Sequence, residues 1–180
     1  MTTFGFIGVG QMGEPMVHRM LKGGLPVVFH ARRPDVVQRV EGAGGTALGS
    51  FAEVTAAADV TIICLFSDAQ LRELVIDLGV LSAAKPGAVV ASHVTGSPFL
   101  ARELAAALPA GAGYVDAPIS GSAEDISNGL LTVLVGGAPD HIEATRPAFE
   151  TYAKAIVPVG DVGSGQLVKL VNNLAFTINL

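Results

Sequence analysis

Gly8-Val9-Gly10-Gln11-Met12-Gly13 constrains this chain more than any other stretch. It follows Thr3–Ile7, an apolar and β-branched run that reads as a strand. It opens Met12–Lys22, whose apolar residues recur at helical spacing until Gly23-Gly24 closes the pattern. G-x-G-x-x-G at a first strand-to-helix turn is a dinucleotide fingerprint. Gly8 permits the tight turn, Gly10 lets backbone approach a pyrophosphate, and Gly13 lets the helix pack on the strand. The N–H groups at the helix start favour the anion. Gln11 and Met12 lie within the same turn and count with the glycines as cofactor-binding residues. The bland alternative is a Gly-rich turn without a ligand. The clean strand before it and the clean helix after it favour the ligand.

The rest of the chain repeats the alternation. Val27–His30, Val60–Leu65, Ala88–Ser92, Tyr114–Asp116, Leu131–Val135 and Ile156–Val159 read as strands. Pro34–Glu41, Asp68–Val75, Ser97–Leu108 and Pro139–Tyr152 read as helices. This implies an α/β fold with a doubly wound, mostly parallel sheet covered on both faces, Rossmann-like and ending in the start of a long helix. Half of the 180 residues are hydrophobic and 15% are charged, which suits one globular core and excludes a disordered chain. A net charge of −5 argues against nucleic acid as a partner. Mean hydropathy is +0.53, yet the longest apolar run, Val60–Phe66, falls far short of the roughly 20 residues that span a bilayer. The N-terminus has no basic segment or cleavage site of a signal peptide, so the expected compartment is the cytoplasm. One cysteine excludes a disulfide framework, and the four histidines lack metal-ligand spacing, so no metal is expected. Cys64, inside an apolar strand, reads as core. Met12, Met16 and Met20 mark a helix face packed on the sheet.

The end of the second strand bears on cofactor choice. NAD sites usually place a carboxylate there for the ribose 2′-OH. This chain has His30-Ala31-Arg32-Arg33-Pro34. Ala31 offers no acceptor, whereas Arg32 and Arg33 suit a 2′-phosphate. Two cations beside a helix N-terminus are otherwise mildly unfavourable. NADP is therefore the preferred cofactor, with NAD second.

Three later stretches carry a resemblance. They are Asp116-Ala117-Pro118-Ile119-Ser120-Gly121, Gly129 to Gly137 (GLLTVLVGG), and Gly163-Ser164-Gly165-Gln166-Leu167-Val168-Lys169-Leu170-Val171-Asn172-Asn173. With Gly5 to Gly24 they resemble the β-hydroxyacid dehydrogenase family over the whole chain. Leu65 and Lys85-Pro86-Gly87 fit as well. The resemblance implies a Rossmann-like domain over residues 1–162. It also implies that 163–180 begin the helix leading to an all-helical C-terminal domain, which this sequence does not contain. That would explain why Gln166–Leu180 reads as a helix apolar round most of its circumference, with nothing following to bury it.

The resemblance implies further roles. Lys169 matches the catalytic lysine, whose apolar neighbours would lower its pKa toward acid–base use. Asn173, four residues on, shares its helix face and would bond the amine or the substrate oxygen. A snorkelling lysine is the ordinary alternative. Ser120 and Gly121 would cradle a substrate carboxylate, or Ser120 would cap a short helix. Leu65, Phe66 and Thr95 would line the cofactor. Departures include Ser122 for a glycine, Asp125-Ile126 for a Gly-Ala pair, Ser92 for an acid, Val94 for a serine and Phe66 for a proline. Asp125 places a carboxylate near the region that receives the substrate acid, which leaves the substrate open.

The implied activity is hydride transfer between a nicotinamide cofactor and a short β-hydroxy acid or its semialdehyde. The rivals are imine reduction on the same scaffold, whose enzymes usually lack this lysine, and a non-catalytic NADP-binding module. The expected partners are the small substrate and a second copy of the chain, met through the terminal helix and the helical domain.

Overall fold

Phe4–Ile7 and Val60–Ile63 are buried at every position, which demands cover on both faces, and both are central strands. The computed structural model describes residues 1–178. In chain order the elements are β1 (Phe4–Ile7), α1 (Gly13–Lys22), β2 (Val27–His30), α2 (Pro34–Gly42), β3 (Thr46–Ala47), α3 (Phe51–Ala57), β4 (Val60–Ile63), α4 (Asp68–Arg72), β5 (Val89–Ser92), α5 (Pro98–Ala107), β6 (Gly113–Asp116), β7 (Ile119–Ser120), α6 (Ala123–Ser127), β8 (Leu131–Gly137), α7 (Pro139–Phe149), β9 (Ala153–Gly160) and α8 (Ser164–Ile178). A π-helical segment (Glu73–Asp77) and a 3-10 turn (Val80–Ala83) follow α4.

Among the described residues nine strands form one sheet. Its order is β3-β2-β1-β4-β5-β6-β8, with β7 next to β6 on one edge of β8 and β9 on the other. The strands from β1 to β6 pair in parallel, while β8 is antiparallel to β6 and β7. The chain winds outward from β1 to β3, then returns to β4 on the other side. That reversal opens a crevice at the carboxyl ends of β1 and β4, where such sheets bind ligands.

Side chains alternate across each strand. Phe4, Phe6 and Ile62 enter a core with Met16, Met20, Phe29, Val40 and Phe149, under α1, α2 and α7. Ile7 and Ile63 enter the opposite core with Val54, Leu71, Leu100 and Leu104, under α3, α4 and α5. Met16 and Met20 are fully buried, as their spacing implies.

Several elements differ from the periodicity. The helix expected over Asp68–Val75 ends at Arg72 and passes into the π segment. The strand expected at Ile156–Val159 extends over Ala153–Gly160, and Pro158 is tolerated because β9 is an edge strand. The periodicity has no counterpart for β3, α3, β7 or α6. Seven residues, as in α3, are too few to show an apolar period, although Ser50 and Glu53 mark its start: Glu53 N–H donates to Ser50 Oγ at 3.2 Å, and the Glu53 carboxylate accepts from Gly49 N–H at 3.1 Å. The terminal helix starts at Ser164, two residues before the expected Gln166, and Leu180 lies outside the described residues. No helix among the described residues is long and apolar enough to cross a membrane.

Candidate functional site

Gly8 follows β1 with φ +96°, and a Cβ there would run into the Cys64 carbonyl. A Cβ on Gly13 would strike the Gly8 carbonyl and the Phe6 ring. Gly10 is the opposite case: a Cβ would meet nothing within 4 Å, because that backbone faces an open cleft. The cleft holds about 460 Å³ and is lined by Gly8 through Gly13, Arg32, Arg33, Leu65 and Phe66. The serines Ser50, Ser67, Ser97 and Ser122 cap α3, α4, α5 and α6. α1 has no side-chain cap and begins at this cleft. Uncapped N–H donors, backbone without side chains and a helix dipole together fit a dinucleotide pyrophosphate.

At the far end of the cleft the two arginines part company. The Arg33 guanidinium grips Asp35, with Nε donating to Oδ1 at 3.2 Å and Nη2 to Oδ2 at 2.6 Å. Those bonds, with Arg39, hold the Asp35 carboxyl down at about 2. Arg32 has no ion pair or hydrogen bond among the described side chains. Phe66 stands at the rim 94% exposed, its N–H donating to Gln70 Oε1 at 3.0 Å. His30, read above only as a scattered histidine, lines the same cleft; its Nδ1 lies 2.9 Å from the Leu48 carbonyl and its ring meets Phe51 edge-on. Burial pushes the Cys64 thiol up to about 12, which agrees with a core role.

The second part of the site is the start of α8. Gly163 takes φ +93°, and a Cβ on Gly165 would lie 2.8 Å from the Asp116 and Leu134 carbonyls. These two glycines let the helix start press against the ends of β6 and β8. Asp116 seals the junction: its carboxylate accepts from Gly163 N–H at 2.7 Å and from Gln166 N–H at 2.8 Å. Asp116 is fully buried; desolvation raises its pKa and the backbone donors oppose the rise. Gln166 reaches the other way. Its Nε2 donates to the Val94 carbonyl at 2.7 Å, and its Oε1 accepts from Gly96 N–H at 2.8 Å. Both atoms of one buried amide thus hold the loop that carries Thr95.

Lys169 follows one turn later, only 8% exposed. Its ammonium has no ion pair or hydrogen bond among the described residues, and burial lowers its pKa. Asn173 shares a cleft of about 400 Å³ with Ser120, Asn172, Phe176 and Thr177. Among the described residues neither the Ser120 hydroxyl nor the Asn173 amide is engaged by another group. Gly121, φ +138°, sits beside Leu131 Cδ2, where a side chain would not fit.

One expectation needs correction: the helix start considered at Ser120 falls at Ser122, and Ser120 itself lies in β7 paired with Thr132. Asp125 does stand beside Gly121, where a Cβ would lie 3.2 Å from its Oδ2, and its carboxylate also accepts from Ser122 N–H at 2.7 Å and Ser122 Oγ at 2.8 Å, closing a capping box on α6. Thr95 is exposed and lies outside both clefts. Asp116 and Gln166 gain their roles only in the fold; an acid in the D-A-P stretch and an amide before the lysine are their signals in the sequence.

The description "NAD binding domain of 6-phosphogluconate dehydrogenase" names the family that matches residues 3–160. Mitochondrial 3-hydroxyisobutyrate dehydrogenase of Mus musculus is 35% identical over 99% of this chain and 54% of its own length. The structure of Mycobacterium tuberculosis 3-hydroxyisobutyrate dehydrogenase with L-serine is 33% identical, with a TM-score of 0.90 over 98% of this chain and 60% of that one. An imine reductase from Pseudomonas sp. shares the fold, with a TM-score of 0.83 at 22% identity, over 98% of this chain and 62% of that one. The chain thus spans little more than half the length of these proteins. With the glycine turn, the uncapped α1 and the switch-point cleft in place, the chain belongs to the family of NAD-binding domains found in 6-phosphogluconate dehydrogenase.

Proposed function

We propose that this chain is the cofactor-binding part of an NADP-preferring oxidoreductase that interconverts a short β-hydroxy acid and its semialdehyde. The observation that carries the reading is Lys169: a buried lysine without a partner, one turn before an Asn173 that shares a cleft with the free Ser120 hydroxyl. A buried, unpaired ammonium is costly, and such groups cluster where a proton must move. The bound nicotinamide supplies the hydride acceptor. Lys169 Nζ takes the hydroxyl proton as the carbonyl forms and returns it in the reverse direction. Asn173 holds the reacting oxygen toward the amine, and Ser120 with the Gly121 backbone receives the substrate carboxylate. Thr95, outside both clefts but on the loop that Gln166 holds, would reach the nicotinamide from that loop. The same lysine disfavours imine reduction.

The test is oxidation of 3-hydroxyisobutyrate and its short homologues by the full-length gene product with NADP. Lys169→Ala is expected to lower kcat by about 10²–10⁴-fold while cofactor affinity stays nearly intact. Retention of more than about a tenth of kcat would assign the proton to another group. Absence of any turnover by the full-length gene product with bound cofactor would favour a non-catalytic module. Joint replacement of Arg32 and Arg33 by Ala is expected to weaken NADP about tenfold or more and to spare NAD. Equal affinities of the unaltered chain for the two cofactors would overturn the NADP preference.

A further inference from the structure

The arginines that face the adenosine end do not stand alone. Asp35 Oδ2 accepts from Arg33 Nη2 at 2.6 Å and from Arg39 Nη1 at 3.0 Å. Arg39 turns its remaining donors to Glu14, with Nε to Oε1 at 2.6 Å and Nη2 to Oε2 at 3.0 Å. A ladder of alternating charge therefore runs Arg33, Asp35, Arg39, Glu14, from the end of β2 across α2 to the first turn of α1. Its charges cancel in pairs. Arg32, on the same cleft wall, is the charge left over. Pro34 in the first turn of α2 and the helix that follows fix where Asp35 stands, directly behind Arg33.

A phosphate dianion arriving at this wall meets one free guanidinium and one already held by a carboxylate. To gain Arg33 it must displace Asp35, and while Asp35 remains it feels a like charge next to the donor it needs. A cofactor with a plain ribose 2′-OH incurs neither cost. We propose that Asp35 is a specificity-determining residue: by competing for Arg33 it sets how far the cleft favours a 2′-phosphorylated dinucleotide over the unphosphorylated one. Arg32 then supplies most of the discrimination and Arg33 a restrained share. This rests on the NADP reading above.

Calorimetry of NADP and NAD on the 180-residue chain tests it. Asp35→Asn is expected to tighten NADP about two- to fivefold, the upper part of the range for an exposed ion pair, and to leave NAD within about twofold. Arg33→Ala alone should weaken NADP less than Arg32→Ala. In an Arg33→Ala background the gain from Asp35→Asn should vanish, because the coupling runs through that guanidinium. A gain that persists without Arg33 would mean a general field effect and would overturn the proposal. So would an unchanged or weakened NADP affinity in Asp35→Asn while Arg32→Ala still weakens NADP. If neither arginine matters to NADP, the cofactor reading itself fails, and this inference with it.

Discussion

His93 shows how a single side chain can look unimportant in sequence and matter in the fold. It is buried under the D-A-P stretch, its Nδ1 2.6 Å from the Ala117 carbonyl and its Nε2 2.9 Å from the Tyr152 hydroxyl. A carbonyl can only accept, so Nδ1 carries the proton and Nε2 accepts from the tyrosine. Burial holds its pKa down at about 4. The unfolded chain takes up this proton below pH 6.5, the folded chain only near 4. Stability from this group is therefore fully present above pH 6.5 and falls as the pH drops toward 4, by up to about 3 kcal/mol. Urea titrations at pH 7 and 4.5 should show the loss, and His93→Gln should shrink it. Lys169 is the converse case, a residue whose cost is its function. Lys169→Met keeps the stem and removes an unpaired buried charge. It is expected to raise stability by about 1 kcal/mol, or about 2–4 °C in Tm, while ending turnover. A lower Tm in that variant would mean the ammonium has a stabilising partner.

At the scale of elements, α8 owes its position to its first turn. Asp116, from β6, accepts from Gly163 N–H just before the helix and from Gln166 N–H in its first turn, and Gly165 lets the helix backbone touch two strand carbonyls. Asp116→Ala leaves those donors buried and unanswered and should cost about 2–3 kcal/mol. Amide exchange at Gly163 and Gln166 should quicken more than elsewhere in the sheet. Gly165→Ala should cost about 1–3 kcal/mol through overpacking. Denaturant midpoints check both, and an unchanged midpoint in either would refute this view of the junction. The helix itself was legible from spacing. Its anchor was not, because Asp116 lies 47 residues before Gly163 and only strand pairing brings the two together. α3 escaped notice and the start of α6 was set two residues early, because short helices held by caps leave no period to read.

At the scale of the whole molecule, the described residues leave one apolar face uncovered. Leu167, Leu170, Val171, Leu174, Phe176 and Ile178 are 43–73% exposed along α8. Among the described residues this face does not fold back onto the sheet. Each large side chain gains roughly 1.5–3 kcal/mol on burial, and patches of this kind drive association. The 180-residue chain in dilute solution is therefore expected to pair with a second copy. Light scattering should give a dimer or larger species, and Leu174→Glu with Phe176→Glu should return it to a monomer. A monodisperse monomer of the unaltered chain would contradict this. Cofactor binding without measurable turnover is expected of the same chain, since the cleft beside Asn173 is open on that side.

Local chemistry alone determined the α/β alternation, the glycine turn and the placing of Lys169 and Asn173 on one helix face. Those features depend on residues within a few positions of one another, where sterics, capping and a 3.6-residue period act directly. Only the tertiary structure decided that Arg33 is held and Arg32 free, that Asp125 closes a capping box while standing beside Gly121, and that Gln166 and Asp116 bind the Thr95 loop and β6 to α8. Each of these is a choice among several chemically suitable partners, and the choice follows from which groups the sheet brings within about 3 Å of one another.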